Sequence, residues 1–341
     1  MEIFKRAVAT VMSVIVAVWL SIGISAAEGE KVDILPTNEQ LAIERMISGF
    51  ENFAQSIDLF DLEIKPNELT RLFYAATKNS PYLFYVDNHM SYTYRSGGYV
   101  MEVIPNYKYD EENALRMGEF CVLEIKKLAE IAAKGESDIE RVILAHDLIC
   151  RRFYYDTTLE SNNLYTFLKS GKGTCQGYTW AYMALLRELG IECEYVASDS
   201  IVHIWLRVRI GGEWYHSDVT WDDPPAAEGV TDIVSRRHLL FSDKKADADG
   251  YVDRYGVGEI ACASEKYDDF DFSSISPPCS VEGDINHNGN TDLCDLIRMR
   301  LYIEGNEADE SVCPICLDLD GDALIDNADL EHQRRLLLNK H

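Results

Sequence analysis

The chain alternates between segments with helical and with strand-like hydrophobic periodicity. Apolar side chains recur at intervals of three and four residues over 38–60, 110–134 and 138–153, which predicts amphipathic helices. The segments 82–86 and 99–104 are rich in aromatic and β-branched residues and are predicted strands. The mixture of the two periods predicts an α+β fold.

The clearest strand pattern is a strict alternation over 201–210, which is followed by Gly211-Gly212 and a second alternating run over 213–219. Two glycines between alternating runs favour a tight β-hairpin turn. A hairpin centred on these glycines places His203 opposite Thr220, so that His203 and Asp218 become diagonal neighbours on one face. Diagonal neighbours lie about 7–8 Å apart, a gap that long side chains can close.

A candidate nucleophile lies at the start of another predicted helix. The glycine-rich segment 171–177 contains Cys175, and the apolar helical pattern that follows it ends at Gly190. The helix dipole and the unpaired N–H groups at a helix N-terminus favour a thiolate, and the same N–H groups can hold an oxyanion. The alternative interpretation is a buried or disulfide-bonded cysteine.

A cysteine nucleophile needs a base within reach and a carboxylate that orients the base. His203 is the predicted general base and Asp218 the predicted orienting acid. His216 remains an alternative base, because it shares the face of Asp218. Asp222 and Asp223 remain alternative acids, although they follow Trp221 in a predicted loop.

The first residues have the pattern of a secretory signal. Lys5 and Arg6 precede an apolar run over 7–24, and Ser25-Ala26-Ala27 provides small residues for cleavage. A signal peptide over 1–27 predicts a secreted, extracellular protein with no membrane contact after cleavage. The alternative is a retained membrane anchor.

The composition and net charge of the chain disfavour some classes of binding partner. The chain has 341 residues, 47% of them hydrophobic, and a formal net charge of −26. Nucleic acids and anionic membrane surfaces would be repelled by this charge, whereas cations would be attracted. Nine cysteines, an odd number in an exported chain, leave at least one thiol outside intramolecular disulfides.

The C-terminal region contains a duplicated acidic pattern that predicts two calcium loops. Oxygen ligands at positions 1, 3, 5, 7, 9 and 12 of a loop wrap one Ca²⁺ ion, with position 7 contributing its backbone carbonyl. The predicted ligands are Asp284, Asn286, Asn288, Asn290, Asp292 and Asp295 in the first loop, and Asp318, Asp320, Asp322, Leu324, Asp326 and Asp329 in the second. The alternative interpretation is a solvated acidic tail, which two in-phase copies disfavour.

Three motifs together resemble the bacterial transglutaminase-like superfamily. They are Gly173–Tyr178, His203–Leu206 and Trp214–Trp221, and the resemblance is strong over 140–223. It implies a papain-like core in which a helix bearing the cysteine packs on an antiparallel sheet. It also implies a triad of Cys175 as nucleophile, His203 as general base and Asp218 as orienter. Leu206 departs from the asparagine found in many members.

Enzymes of this superfamily hydrolyse peptides, transfer amides to amines or deamidate glutamine, always through an acyl-thioester. The resemblance thus implies a cysteine hydrolase acting on a protein or peptide, with no cofactor for the catalytic core. Hydrolysis is the favoured interpretation, because water needs no second dedicated pocket. A protein-glutamine amidase, a transglutaminase and a catalytically silent binding module are the alternatives.

The duplicated loops resemble type I-like dockerin modules, since Asp occupies position 12 and a helix follows each loop but precedes neither. The resemblance covers 280–341 and implies a small all-α domain that binds two Ca²⁺ ions and a cohesin module of a scaffolding protein. Such modules occur in cellulosome-type, plant-fibre-degrading assemblies. Ala323 replaces the usual glycine of the second loop, and Leu293-Cys294 and Asn327-Ala328 replace the familiar Ser/Thr pairs.

Because dockerin modules usually accompany carbohydrate-active domains, the resemblance also suggests a carbohydrate-active enzyme. The sequence shows no pair of catalytic carboxylates to support this alternative. The predicted organisation is a signal peptide over 1–27, an N-terminal α+β region over 28–110, a catalytic core over 111–272, a linker over 273–282 and a dockerin domain over 283–341.

Overall fold

The computed structural model describes residues 37–223, 235–256, 260–272, 275, 281–285, 290–305, 314–320 and 324–338. The predicted signal peptide lies outside these ranges, as do 273–274 and 276–280 of the predicted linker. The helices and strands within these ranges belong to one compact unit, Asn38–His341.

The helices are α1 (Asn38–Glu51), α2 (Pro66–Lys78), α3 (Glu111–Ala132), α4 (Asp138–Arg152), α5 (Leu164–Ser170), α6 (Cys175–Glu188), α7 (Asp243–Asp249), α8 (Leu293–Ile303), α9 (Pro314–Leu317) and α10 (Asn327–Leu338), with a 3₁₀ turn at Pro81–Leu83. The strands are β1 (Ile57–Asp58), β2 (Val86–Tyr94), β3 (Val100–Tyr107), β4 (Tyr154–Tyr155), β5 (Lys172–Gly173), β6 (Cys193–Ser198), β7 (His203–Ile210), β8 (Glu213–Ser217) and β9 (Tyr255–Gly256). Within the described residues, no helix combines the length and the apolar character needed to cross a bilayer.

The N-terminal part forms the antiparallel sheet β1-β3-β2. The predicted strand over 82–86 is wrong, because Pro81 starts a 3₁₀ turn there and β2 begins only at Val86. Leu83, Phe84 and Tyr85 are all buried, so this apolar run packs on every side rather than alternating between two faces. The predicted helix over 38–60 is also too long, since α1 ends at Glu51.

The two long predicted helices of the middle region are confirmed. The Asp110 side chain caps α3 by accepting a bond from the backbone of Asn113, and Ser137 caps α4 through the backbone of Glu140. Such caps satisfy the orphan N–H groups of a helix start. Both helices contact α6, the helix that begins with Cys175.

The main sheet has the order β8-β7-β6-β9. Its β7–β8 ladder pairs Ile210 with Glu213 and Leu206 with Ser217, which confirms the register predicted from Gly211-Gly212. Both glycines have positive φ, at 61° and 89°, as a two-residue turn of this kind requires. The predicted start of the strand at 201 is wrong, because Val202 has φ 50° and lies in the turn before β7.

Candidate active site

Cys175 is the first residue of α6, and close packing of glycines fixes this helix end. The backbone N–H of Thr174, the N-cap residue, donates to the Ser161 carbonyl at 2.9 Å. A Cβ on Gly173 or Gly177 would lie 2.4 or 2.6 Å from a ring carbon of Phe167, too close for any other residue type. The glycine-rich sequence therefore allows the start of α6 to lie directly on the Phe167 ring.

The Cys175 side chain is a free, half-buried thiol, as a nucleophile that must meet a substrate requires. The sulfur of Cys175 lies near enough to His203 to raise the pKa of the imidazole. The Nε2 atom of His203 faces Asp218. The structure therefore brings the helix-terminal sulfur and the strand imidazole together, as the sequence predicts.

Asp218 completes the arrangement. Its Oδ2 lies 2.6 Å from His203 Nε2, and its side chain is only 1% exposed. Asp218 follows β8 directly, and its Oδ1 accepts the backbone N–H groups of Thr220 and Trp221 at 3.0 and 3.3 Å. This local turn aims the second carboxylate oxygen at His203.

The imidazole of His203 is held between two indoles. Its ring stacks on Trp221 with centroids 5.0 Å apart and planes inclined by 14°, and on Trp205 with centroids 5.7 Å apart and planes inclined by 17°. Trp205 is buried, whereas Trp221 is 37% exposed and covers the outer side. Apolar cover of this kind keeps water away from the His203–Asp218 bond and strengthens it.

Electrostatics favour a protonated His203. Burial lowers the pKa of His203, but Asp218 and Cys175 outweigh burial and raise it to about 10. The carboxylate of Asp218 favours the imidazolium form of His203. A cysteine sulfur beside an imidazole that can accept and return a proton is the arrangement that nucleophilic catalysis needs.

The alternative base and one alternative acid lie elsewhere. His216 accepts the Trp205 indole N–H at Nδ1 (3.0 Å), and its Nε2 lies 3.0 Å from Asp243. Asp222 is fully buried and binds His146 and His238 rather than His203. Neither His216 nor Asp222 joins the Cys175 site.

Asp222 belongs to a second group of titratable side chains, here called the buried cluster, which comprises His146, Asp147, Cys150, Asp222 and Arg236. His146 is 0% exposed, and its Nδ1 and Nε2 each lie 3.1 Å from a carboxylate oxygen, of Asp147 and Asp222 respectively. Arg236 donates to both oxygens of Asp147 at 3.1 and 2.5 Å. The cluster ties α4 to the segment that follows the triad's aspartate.

One group of three metal-binding side chains occurs in the described part of the core: His216, Asp243 and Cys262. His216 accepts the Trp205 N–H at Nδ1, so the neutral imidazole carries its proton on Nε2 and donates it to Asp243. A metal ion would need the lone pair of that Nε2 atom. The hydrogen bonds therefore favour a structural network here over a metal centre.

The C-terminal region repeats one hydrogen-bond pattern in both predicted calcium loops. Asp295 and Asp329, at position 12, are 0% exposed. Each accepts the backbone N–H of position 2 through one oxygen and that of position 9 through the other, at 2.7 to 2.9 Å. Asn286, Asn288 and Asp322 lie outside the described residues.

The donor set of the second loop fits a hard divalent cation. Carboxylate oxygens of Asp318, Asp320 and Asp329 all lie within 4.8 Å of one another. Carboxylate oxygens are ligands that Ca²⁺ prefers. Asp318 also lies 3.8 Å from Arg152 at the end of α4, a contact that a bound cation would compete with.

Comparison with known proteins identifies the class of the core. Residues 126–219 match the family model of the transglutaminase-like superfamily, so the chain contains a transglutaminase-like superfamily domain. A search of curated proteins gave no match.

Three solved structures are similar to parts of the chain. They are a TGase (17% identity, TM-score 0.29, covering 53% of this chain and 54% of that one), menin (15%, 0.27, 63% and 42%) and a proposed protease from Parabacteroides distasonis (12%, 0.25, 53% and 40%). The aligned part of the chain thus spans about half of these structures or less.

Sequence reasoning missed three features of the site. Tyr251 donates a hydrogen bond to Asp218, Trp221 stacks on His203, and the buried cluster lies behind the aspartate. A signal for the cluster was present in the His146-Asp147 pair, which interrupts the apolar stretch 142–150 of α4 and lies about one turn before Cys150. Tyr251 follows an irregular segment and offered no such signal.

Proposed function

We propose that the chain is a secreted cysteine hydrolase, a peptidase that acts through an acyl-thioester, and that a calcium-dependent dockerin module attaches it to a cohesin-bearing scaffold. The observation that carries the catalytic part is the proximity of Cys175 to His203, whose Nε2 lies 2.6 Å from Asp218. The transglutaminase-like match over 126–219 supports the chemistry.

Acylation begins when the Cys175 sulfur, having given its proton to His203, attacks the carbonyl carbon of an amide. The carbonyl electrons move to oxygen, and the backbone N–H of Cys175, which as the first helical residue has no acceptor within α6, is placed to bind that oxyanion. The imidazolium of His203 then protonates the nitrogen as the C–N bond breaks. An amine leaves, and an acyl-thioester remains.

Deacylation reverses these transfers with water. His203 takes a proton from water, the hydroxide attacks the thioester, and the C–S bond breaks to release a carboxylic acid and restore the thiolate–imidazolium pair. Asp218 keeps the imidazole oriented through both halves of the reaction. An amine in place of water would give transfer, and a glutamine side chain as substrate would give deamidation.

The test is mass spectrometry of a peptide mixture incubated with the protein and with the Cys175→Ala variant. We expect new peptide termini that depend on Cys175. New isopeptide bonds would instead indicate a transferase, and Gln-to-Glu conversion a deamidase. Products that persist in the variant, or no products with the intact protein, would exclude the proposed chemistry.

Covalent labelling provides a second measurement that needs no known substrate. A thiol-directed acyl probe is expected to modify Cys175 and to spare Cys294, an exposed thiol without a histidine partner among the described residues. Peptide mapping separates the two sites, so Cys294 is the internal control. Equal labelling of both cysteines would show that Cys175 has no special reactivity.

The docking part of the proposal rests on the loops. Two in-phase copies share the same position-12 hydrogen bonds, and Gln333 of α10 donates to the Gly283 carbonyl at 2.7 Å, which links the second half of the repeat to the first. The exposed apolar side chains Leu293 and Ile297 on α8 offer contact area for a cohesin. Calcium would complete the loops and neutralise part of their charge.

Calcium titration tests this part. We expect two Ca²⁺ ions to bind per chain, and excess EDTA to reduce helical circular dichroism and to release a cohesin. The variants Asp295→Ala and Asp329→Ala should each remove one ion. Unchanged circular dichroism and unchanged cohesin affinity in EDTA would contradict the proposal.

A further inference from the structure

Tyr251 shares one carboxylate oxygen with the catalytic histidine. It lies just after α7, is 0% exposed, and donates its hydroxyl to Asp218 Oδ2 at 2.9 Å, the same oxygen that lies 2.6 Å from His203 Nε2. We propose that Tyr251 is a positioning residue of the triad. The Tyr251 hydroxyl holds Asp218 Oδ2 in place and weakens the interaction of that oxygen with the imidazolium. His203 can then release its proton to the leaving amine.

The hydrogen bonds of the two Asp218 oxygens show why the Tyr251 hydroxyl matters. Oδ1 is occupied by the backbone N–H groups of Thr220 and Trp221, so the described partners of Oδ2 are His203 and Tyr251. Burial, with a further contribution from Asp218, raises the pKa of Tyr251 well above its ordinary value. The phenol therefore stays protonated and donates throughout the neutral range.

The position of the hydroxyl is fixed by packing. Gly250 ends α7 with φ 92°, and the backbone N–H of Tyr251 donates to the Ala246 carbonyl at 2.9 Å. The Tyr251 ring lies against Trp221 (centroids 4.3 Å apart) and Trp205 (4.8 Å), the two indoles that hold His203. Tyr251 lies outside the family match over 126–219.

Other charged groups near the site come from several elements. Cys175 of α6 acts on His203 directly, while Asp222 after β8 and Asp249 of α7 act on Tyr251. The His238 ring lies 6.1 Å from Tyr251, and His216 lies behind the buried indole of Trp205. All of these groups remain when only the Tyr251 hydroxyl is removed.

The inference rests on the proposed function, but its experiment reads His203 directly. The variant is Tyr251→Phe, and the matched control is Tyr215→Phe, which removes the hydroxyl of a similarly buried tyrosine that donates to Ser264 at 2.9 Å. The titration midpoint of ¹³C-labelled His203 is followed by NMR, and kcat and KM are measured on a cleaved peptide.

We expect the His203 midpoint to rise by about 0.5–1 pH unit in Tyr251→Phe, because the carboxylate regains the charge density that the phenol had drawn away. We also expect kcat to fall about tenfold with KM unchanged, and neither change in Tyr215→Phe. Replacement of Tyr251 by 3-fluorotyrosine, a stronger donor with nearly the same shape, should move the midpoint downward.

An unchanged or lowered midpoint in Tyr251→Phe, or an equal shift in the control, would overturn the inference. Failure of the proposed function is a separate outcome, because the NMR midpoint can be measured whether or not any peptide is cleaved. If the Tyr251→Phe variant does not fold, the inference is tested by the protein with 3-fluorotyrosine at position 251. The deciding result is then the direction in which its His203 titration midpoint shifts.

Discussion

Among the described groups that combine a cysteine, a histidine and aspartate, the Cys175 site and the buried cluster give the clearest comparison, and of these two only the Cys175 site has the arrangement that the proposed chemistry needs. Cys175 is half-buried at a helix start, whereas Cys150 is 2% exposed near the C-terminal end of α4. One ring nitrogen of His203 bonds the Asp218 carboxylate, and the ring also lies beside the Cys175 sulfur. His146 gives both nitrogens to carboxylates, and its ring nitrogens stay 3.9 and 4.0 Å from Cys150.

The difference shows that residue types alone do not define a nucleophilic site. Burial raises the pKa of Cys150 to about 11, so this thiol stays protonated in the neutral range. Its sulfur also bonds the Val219 carbonyl at 3.5 Å, next to the triad's aspartate. The proposed reactive site differs from the supporting one in two ways. Its cysteine is accessible to a substrate, and its histidine is free of a second carboxylate among the described residues and lies beside the sulfur.

The largest effect is expected for the histidine of the triad. His203→Ala should lower kcat/KM on a cleaved peptide by about 10³–10⁴-fold, because the base and acid of both half-reactions is lost. Asp218 keeps Tyr251 and two backbone donors, so the folded state should survive. Steady-state kinetics and thermal unfolding together check this, and a variant with near-normal turnover would contradict the assigned base.

His146→Ala in the buried cluster should act mainly on stability. It leaves Asp147 and Asp222 without the cation between them, and breaking such a buried group costs about 3–5 kcal/mol of unfolding free energy. Chemical denaturation measures this loss. The folded fraction should still label at Cys175, so a stable variant with an unreactive Cys175 would reverse the functions we assign to the two histidines.

The smallest effect is the pH dependence that His146 adds to stability. Burial lowers the pKa of His146, but the hydrogen bonds to the carboxylates of Asp147 and Asp222 hold it well above its ordinary value of 6.5. The stabilisation from this proton is complete below pH 6.5 and is lost as the pH rises through the folded-state pKa.

Between pH 6.5 and the folded-state pKa, wild-type protein should therefore lose up to about 1.4 kcal/mol of unfolding free energy per pH unit relative to His146→Gln. Denaturation curves of both proteins from pH 6 to 9 provide the measurement. Parallel stability curves would mean that His146 is neutral in the folded state.

The sequence was most informative where local rules determine geometry. The alternation around Gly211-Gly212 predicted the register that brings His203 and Asp218 together, and glycine spacing predicted the helix start at Cys175. The segment 82–86 was predicted wrongly because an apolar run buried on all sides has no alternation to distinguish a strand from a 3₁₀ turn.

Features built from distant segments could not be predicted in this way. The hydroxyl of Tyr251 reaches Asp218 only after the chain has passed through α7, and nothing in the residues around it encodes that approach. His146 meets Asp222 across 76 positions of sequence. Polar residues on a helix usually face solvent, and only the packing of α4 in the interior reveals that these do not.

The tight Gly211-Gly212 turn makes the length of the hairpin as important to this chain as the identity of any triad member. Side chains on a strand alternate between faces, so one inserted or deleted residue in the turn would send Asp218 to the opposite side of the sheet from His203. An evolutionary change of this kind would abolish the proposed activity even though Cys175, His203 and Asp218 were all retained.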